Sequence, residues 1–106
     1  MPTSKLTPRQ RQHLKALAHE QKPVVQLGVK GLGEPIVAAL REALRRHELI
    51  KVKLPKLDDA EERKALADEV VAASKAELVA LLGRVLVLYA PRKDDLPDKP
   101  RIQLPR

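Results

Sequence analysis

Aromatic side chains are nearly absent from the amino-acid sequence: among 106 residues there is no phenylalanine, no tryptophan and one tyrosine, Tyr89. There is also no cysteine, which excludes disulfides, thiolate metal sites and a cysteine nucleophile. The core must therefore consist of leucine, valine, isoleucine and alanine side chains. We expect a single domain, because two domains would leave each half too short to bury such a core.

The first apolar segment predicts a short helix. Residues 7–10 form a capping-box pattern, with a proline at the first helical position. Leu14, Leu17 and Ala18 then recur at the spacing of one helical face. Because the residue before a proline is disfavoured in a helix, the next proline predicts that this helix ends near Gln21.

The middle of the sequence alternates between strand and helix patterns. Residues 24–27 are a short β-branched run that predicts a buried strand, and residues 36–44 repeat at helical spacing. Residues 49–54 alternate between apolar and polar positions. This alternation predicts a half-exposed strand that presents Lys51 and Lys53.

The remaining apolar segments predict a third helix and a hairpin. Asp58 or Asp59 can cap the helix. The apolar runs 78–82 and 85–89 flank a glycine-first pair at 83–84, which suits a type II′ turn.

The order of these segments is helix, strand, helix, strand, helix, strand, strand. It predicts an α/β fold in which three helices pack against a four-stranded mixed sheet. We expect residues 1–90 to form this domain and residues 91–106, rich in proline and charge, to form an extended basic tail.

The basic residues are unevenly distributed. The net charge is +7, and residues 1–53 account for it with 11 lysines and arginines against 4 acidic residues. Such asymmetry is typical of a protein that binds a polyanion, either nucleic acid or an anionic membrane. The alternative is that the positive charge only keeps the surface soluble. No run approaches the roughly 20 apolar residues that span a bilayer, and the N-terminus lacks a signal-peptide stretch. We therefore expect a soluble, cytoplasmic protein.

Catalytic and metal-binding patterns are missing from the sequence. The histidines and serines form no hydrolase arrangement, and His13 and His19 lie six residues apart instead of the three or four that suit a helical metal site. A Walker loop needs a Lys-Ser/Thr pair directly after its last glycine. This sequence has Glu34 and Pro35 in that place. We expect no enzymatic activity, no catalytic residue, no metal and no cofactor; an enzyme of unrecognised type is the remaining alternative.

A G-x-x-G segment, Gly28-Val29-Lys30-Gly31, joins the first predicted strand to the second helix. In KH domains such a loop lets main-chain N–H groups approach phosphates that a Cβ would hold off. The pattern alone is weak, because two glycines three residues apart also make ordinary turns. Many proteins that bind single strands stack the bases on aromatic side chains. The lack of aromatic residues therefore favours recognition of the backbone and shape of a folded RNA, with DNA as an open alternative.

Several spaced segments together resemble the YhbY family, the bacterial form of the CRM domain. These segments are residues 14–19, 22–28, 31–32, 47–53 and 83–89. The likeness covers about residues 5 to 106. One difference is Gly33, where family members commonly have a hydroxyl residue able to cap the second helix; glycine weakens the cap by roughly a few tenths of a kcal/mol.

The resemblance implies a fold similar to the C-terminal domain of translation initiation factor three. It also implies RNA binding and association with precursors of the large ribosomal subunit. Carried over by position, the RNA-binding loop is Gly28, Val29, Lys30 and Gly31, with basic support from Lys22, Lys51 and Lys53. Apart from the resemblance, we expect Arg84, Arg92 and the tail to extend the contact. The expected partner is ribosomal RNA, bound by a monomer, with no membrane and no small-molecule substrate. The alternative is a protein-interaction adaptor whose basic face docks on an acidic partner.

Overall fold

The computed structural model describes residues 6–28, 32–57, 59–91 and 102. Its helices and strands are α1 (Pro8–Ala18), β1 (Val25–Gln26), α2 (Glu34–His47), β2 (Leu49–Lys53), α3 (Ala60–Ser74), β3 (Glu77–Leu82) and β4 (Val85–Tyr89). The sheet has the order β1-β2-β4-β3, with β1 parallel to β2 and the other neighbours antiparallel. The predicted mixed sheet with three helices is confirmed. None of the helices in these ranges is long and apolar enough to cross a membrane.

Helices α2 and α3 cover one face of the sheet, which we call the two-helix face. Successive residues of a strand point to opposite faces, so every second side chain of β2 and β4 enters this core. Its buried members include Val25, Leu27, Leu40, Leu44, Ile50, Val52, Leu54, Val70, Leu86 and Leu88. This aliphatic cluster is the larger of the two cores.

Helix α1 packs on the opposite face, which we call the one-helix face. The second core cluster lies beneath it and contains Leu14, Ala18, Leu49, Val79, Val87 and Tyr89. The expected half-exposure of β2 is found at Lys51 and Lys53, whereas Leu49 on the same face is buried. Helix α1 therefore covers the half of this face that contains Leu49 and leaves the other half more open.

The start of α1 is the predicted capping box. The Gln10 N–H donates to Thr7 Oγ1 at 3.1 Å, and the Thr7 N–H donates to Gln10 Oε1 at 3.1 Å. The helix ends at Ala18, earlier than predicted. The reason is local: the His19 N–H bonds the Ala16 carbonyl, three residues back, which tightens the last turn and ends the helical ladder.

The prediction that Leu17 belongs to the apolar stripe of α1 is wrong. Its side chain is 43% exposed, whereas Leu14 and Ala18 are buried. Residues four apart lie above one another on a helix, so a narrow contact with the sheet holds Leu14 and Ala18 and leaves Leu17 at its side.

The third helix and the hairpin form as predicted. Asp59 provides the cap, because its Oδ1 accepts the Glu61 N–H at 2.8 Å, while Asp58 lies outside the described residues. At the hairpin turn Gly83 has φ +61, and Arg84 does not have a positive φ. This combination is the one that a type II′ turn requires.

One residue of the C-terminal segment is described, and it contacts the domain. Ile102 packs against the second core cluster, as does Leu6 near the other end of the chain. The Ile102 N–H donates to Glu48 Oε1 at 2.8 Å. Apart from Pro91 and Ile102, the predicted tail lies outside the described residues.

Candidate nucleic-acid interface

One end of the sheet brings together residues from three separate parts of the chain. Strands β1 and β2 run parallel and finish at this end, where the turn between β3 and β4 also lies. The Leu27 N–H donates to the Lys53 carbonyl at 2.9 Å, and the Leu54 N–H donates to the Arg84 carbonyl at 2.7 Å. Gly28, Lys53 and Arg84 therefore share this end, and we call these three residues the basic end of the sheet.

Gly28 is exposed, and neither close contacts nor its φ call for a glycine there. A Cβ placed on it would meet no atom within 4 Å, and its φ lies outside the left-handed region that favours glycine. Gly83 is the opposite case, because its φ of +61 favours glycine for conformational reasons. The missing side chain of Gly28 thus leaves the main chain open toward the outside of the molecule.

The centre of the G-x-x-G segment, Val29, Lys30 and Gly31, lies outside the described residues. The chain resumes at Leu32, which packs against the core of the two-helix face. Gly33 then caps α2 with extended dihedrals and no side-chain hydrogen bond. The loop is thus tied to the domain on both sides, by Leu27 before it and by Leu32 after it.

Two of the predicted lysines lie away from the basic end. Lys51 is on the same face as Lys53, two residues earlier, and its Nζ donates to the His19 carbonyl at 3.4 Å. A cation there also interacts favourably with the C-terminal end of α1. Lys22 is exposed and precedes Val24, whose N–H donates to the Lys51 carbonyl at 3.0 Å. Lys22 and Lys51 therefore lie beside the start of β1, whereas Gly28 follows its end.

The two arginines predicted to extend the contact differ in position. Arg84 is exposed at the basic end. Arg92 lies outside the described residues. The preceding residue, Pro91, lies two residues after Tyr89. Tyr89 pairs with Leu49 at the end of the sheet opposite Arg84. Strand β4 thus separates Arg84 from the start of the C-terminal segment.

Two arginines of α2 bond to groups of the two-helix layer and not to the basic end. Arg41 Nη2 donates to the Ala73 carbonyl at 3.1 Å and so ties α2 to α3. Arg45 forms an exposed ion pair with Glu42 at 3.1 Å. The hydrogen bond and charge of Arg45 lower the pKa of Glu42, and those of Glu42 raise the pKa of Arg45. Some of the positive side chains in the first half of the chain therefore bind groups within the two-helix layer.

Two exposed residues beside the basic end do not follow from the sequence patterns given above. Residues 24–27 predict a buried strand, and residues 78–82 predict an apolar strand of the hairpin. The structure leaves Gln26 exposed and Leu82 46% exposed. The period-2 alternation of a strand could have indicated Gln26, since Val25 and Leu27 on either side of it are buried.

Comparisons with known proteins agree with this architecture. The profile of the CRS1 / YhbY (CRM) domain family matches residues 6–90. A Haemophilus influenzae protein named as an RNA-binding protein is 43% identical, over 95% of this chain and 96% of its own length. A Pseudomonas aeruginosa protein named as a probable RNA-binding protein is 42% identical, over 89% of this chain and 88% of its own length.

A solved structure has the same fold. The solution structure of a Staphylococcus aureus protein, described as a candidate RNA-binding protein, is similar with a TM-score of 0.77 and 32% identity. The match covers 94% of this chain and 99% of that one. The profile match over residues 6–90 and the two relatives confirm the resemblance seen in the sequence, and the chain belongs to the CRS1/YhbY (CRM) domain family.

Proposed function

We propose that this protein binds folded ribosomal RNA and assists assembly of the large ribosomal subunit. The contact consists of the loop at residues 28–31 together with Lys53 and Arg84, and Lys22 and Lys51 add positive charge farther away, beside the start of β1. The protein acts as a cytoplasmic monomer and as a binding module, not as an enzyme. The names of the two relatives, both RNA-binding proteins, support RNA as the partner.

The exposed main chain at Gly28 is the observation that carries the proposal. Neither internal packing nor a positive φ explains a glycine there. A phosphate approaching the main-chain N–H groups does explain it, because a Cβ would hold the phosphate away. Lys53 lies next to that position at the end of β2, and Arg84 lies one strand farther along the basic end, so both would attract a polyanion bound there.

The composition supports recognition of the RNA backbone and of its shape. The sole tyrosine, Tyr89, is 4% exposed and lies in the second core cluster, so it offers no surface for stacking a base. A protein that contacts phosphates with lysines and arginines binds with an affinity that falls steeply with salt.

Substitutions in the loop test the proposal. Gly28→Ala should fold normally, since its Cβ meets nothing within 4 Å, and should lower affinity for transcribed large-subunit ribosomal RNA tenfold or more in filter binding. Lys30→Glu should act in the same direction. Gly33→Ala is the matched control, because its Cβ would meet only Pro35 Cδ at 3.7 Å, and it should bind like the wild type.

The result decides between two kinds of partner. Wild-type affinity in both Gly28→Ala and Lys30→Glu would remove the loop from the interface. Absence of RNA binding by the wild type at low salt would reject the proposal and favour an acidic protein partner instead.

A further inference from the structure

Four residues form a continuous row across the sheet at the basic end. Gln26 pairs with Lys53, Lys53 pairs with Val85, and Val85 pairs with Leu82. Each strand therefore contributes one residue, in the order β1, β2, β4, β3. We call Gln26, Lys53, Val85 and Leu82 the sheet row.

All four side chains of the sheet row lie on the one-helix face. Their strand neighbours Val25, Val52, Leu86 and Leu81 belong to the core of the two-helix face. Alternation along each strand therefore directs the row to the opposite face.

Helix α1 does not bury this row. It covers Leu49, Val87 and Tyr89, farther along the same face. Gln26 is exposed and Leu82 is 46% exposed, while Lys53 and Val85 are half-buried. The open half of the one-helix face is thus a shallow strip about 14 Å across, from three strand spacings of about 4.8 Å.

The chemistry of the strip fits a polyanion that also presents hydroxyl groups. Lys53 lies within the strip, and Arg84 lies next to Val85 at its edge. The Gln26 amide can both donate and accept, which matches a hydroxyl group that does the same. Val85 and Leu82 offer hydrocarbon at the other end, suited to the nonpolar faces of sugars.

Among nucleic acids these properties select a double-helical RNA. Its minor groove is wide, shallow and edged with ribose 2′-hydroxyls, which side chains on a flat surface can reach. The minor groove of B-form DNA is narrower, about 6 Å, and has no 2′-hydroxyl. An unpaired strand would need an aromatic stacking platform that the sheet row lacks.

We propose that the sheet row docks on the minor-groove edge of a helical RNA segment, with the Gln26 amide hydrogen-bonding a ribose 2′-hydroxyl. This inference rests on the proposed RNA-binding function and adds a second surface beside the loop. The loop and Arg84 hold phosphates, while the row recognises the RNA form of the helix. Gln26 is thus the residue that separates RNA from DNA.

Duplex probes test this proposal directly. The full chain is titrated with a 20-base-pair RNA duplex and with the DNA duplex of the same sequence, at one low salt concentration. The wild type should bind the RNA duplex more tightly. Gln26→Ala should weaken RNA-duplex binding about fivefold and leave DNA-duplex binding unchanged, whereas the control Gln12→Ala, exposed on α1, should change neither.

A pair of leucine variants tests the other end of the row. Leu82→Glu places a carboxylate in the strip and should weaken RNA-duplex binding tenfold or more. Leu17→Glu adds the same charge at a position of similar exposure, 43% against 46%, but on α1 outside the row. It should change the affinity by no more than about twofold.

The outcomes separate this proposal from the broader one. Equal affinity of the wild type for the two duplexes, or parallel losses on RNA and DNA in Gln26→Ala, would overturn the docking of the sheet row. Binding that depends on Gly28 but not on Gln26 or Leu82 would do the same and would leave the proposed function intact. Absence of RNA binding by the wild type would reject both the docking of the sheet row and the proposed function.

Discussion

The main-chain N–H of Ile102 donates a 2.8 Å hydrogen bond to the Oε1 of Glu48, 54 residues earlier in the chain. Glu48 is 1% exposed and has φ 63, an unusual conformation for a glutamate. Its N–H bonds the Leu44 carbonyl at the end of α2, and its own carbonyl accepts the Ala90 N–H, both at 2.8 Å. Glu48 therefore joins α2, β4 and the C-terminal segment at the end of the sheet opposite the basic end.

Ile102→Ala should destabilise the protein although it lies outside the family's matched region. Ile102 packs against the second core cluster, but only in part, so the expected loss is about 1–2 kcal/mol, below the values typical of fully buried isoleucines. Denaturant unfolding measures it. The control is Leu17→Ala, which removes an exposed side chain and should change the stability by less than about 0.5 kcal/mol. Equal stability of Ile102→Ala and the wild type would show that the contact does not stabilise the domain.

Tyr89 should ionise above the ordinary pKa of a phenol. Burial raises the pKa of Tyr89 above 10.0, and the negative charge of Glu48 raises it further. The phenolate absorbance measures this directly, because the chain has one tyrosine and no tryptophan. Glu48→Gln should lower the pKa of Tyr89 by removing the charge.

The same shift affects stability only at alkaline pH. The folded protein holds the phenolic proton more tightly than the unfolded chain, so this contribution is complete below pH 10.0 and is lost as the pH rises through the folded pKa. Tyr89→Phe should lack that alkaline component. A titration of Tyr89 at its ordinary pKa in the folded protein would contradict the prediction.

Alanine should destabilise the protein at one glycine and leave its stability nearly unchanged at another. Gly83→Ala should cost about 1–2 kcal/mol of unfolding free energy, because the turn holds φ at +61, where a Cβ is strained. Gly28→Ala should stay within about 0.5 kcal/mol of the wild type, since its φ is not in that region and its Cβ meets nothing. Thermal or denaturant unfolding compares them; a larger loss at Gly28 would mean that the glycine serves the fold.

Lys53→Gln should reduce the salt dependence of RNA binding. Removing one phosphate contact lowers the slope of log affinity against log salt by about 1. Lys64→Gln, at an exposed position of α3, is the charge-matched control and should leave the slope unchanged. The same slope in both variants would place Lys53 outside the interface.

Much of the local structure follows from the sequence because its signals are local. Thr7, Pro8 and Gln10 suffice for a capping box, since the bonds close within one turn. A leading glycine at Gly83 specifies the hairpin turn in the same way. The hydrophobic periods then give the order of elements and, with the short connections, the mixed sheet.

Only the tertiary structure decided which faces stay open. Periodicity places Leu17 with Leu14, but the width of the contact between α1 and the sheet leaves Leu17 exposed. Pairing across strands brings Gln26, Lys53 and Leu82 into one row, although they are far apart in sequence. The contact between Ile102 and Glu48 likewise joins distant residues. Such contacts depend on long-range packing, whose energy is shared among many residues, so no short segment of the sequence determines them.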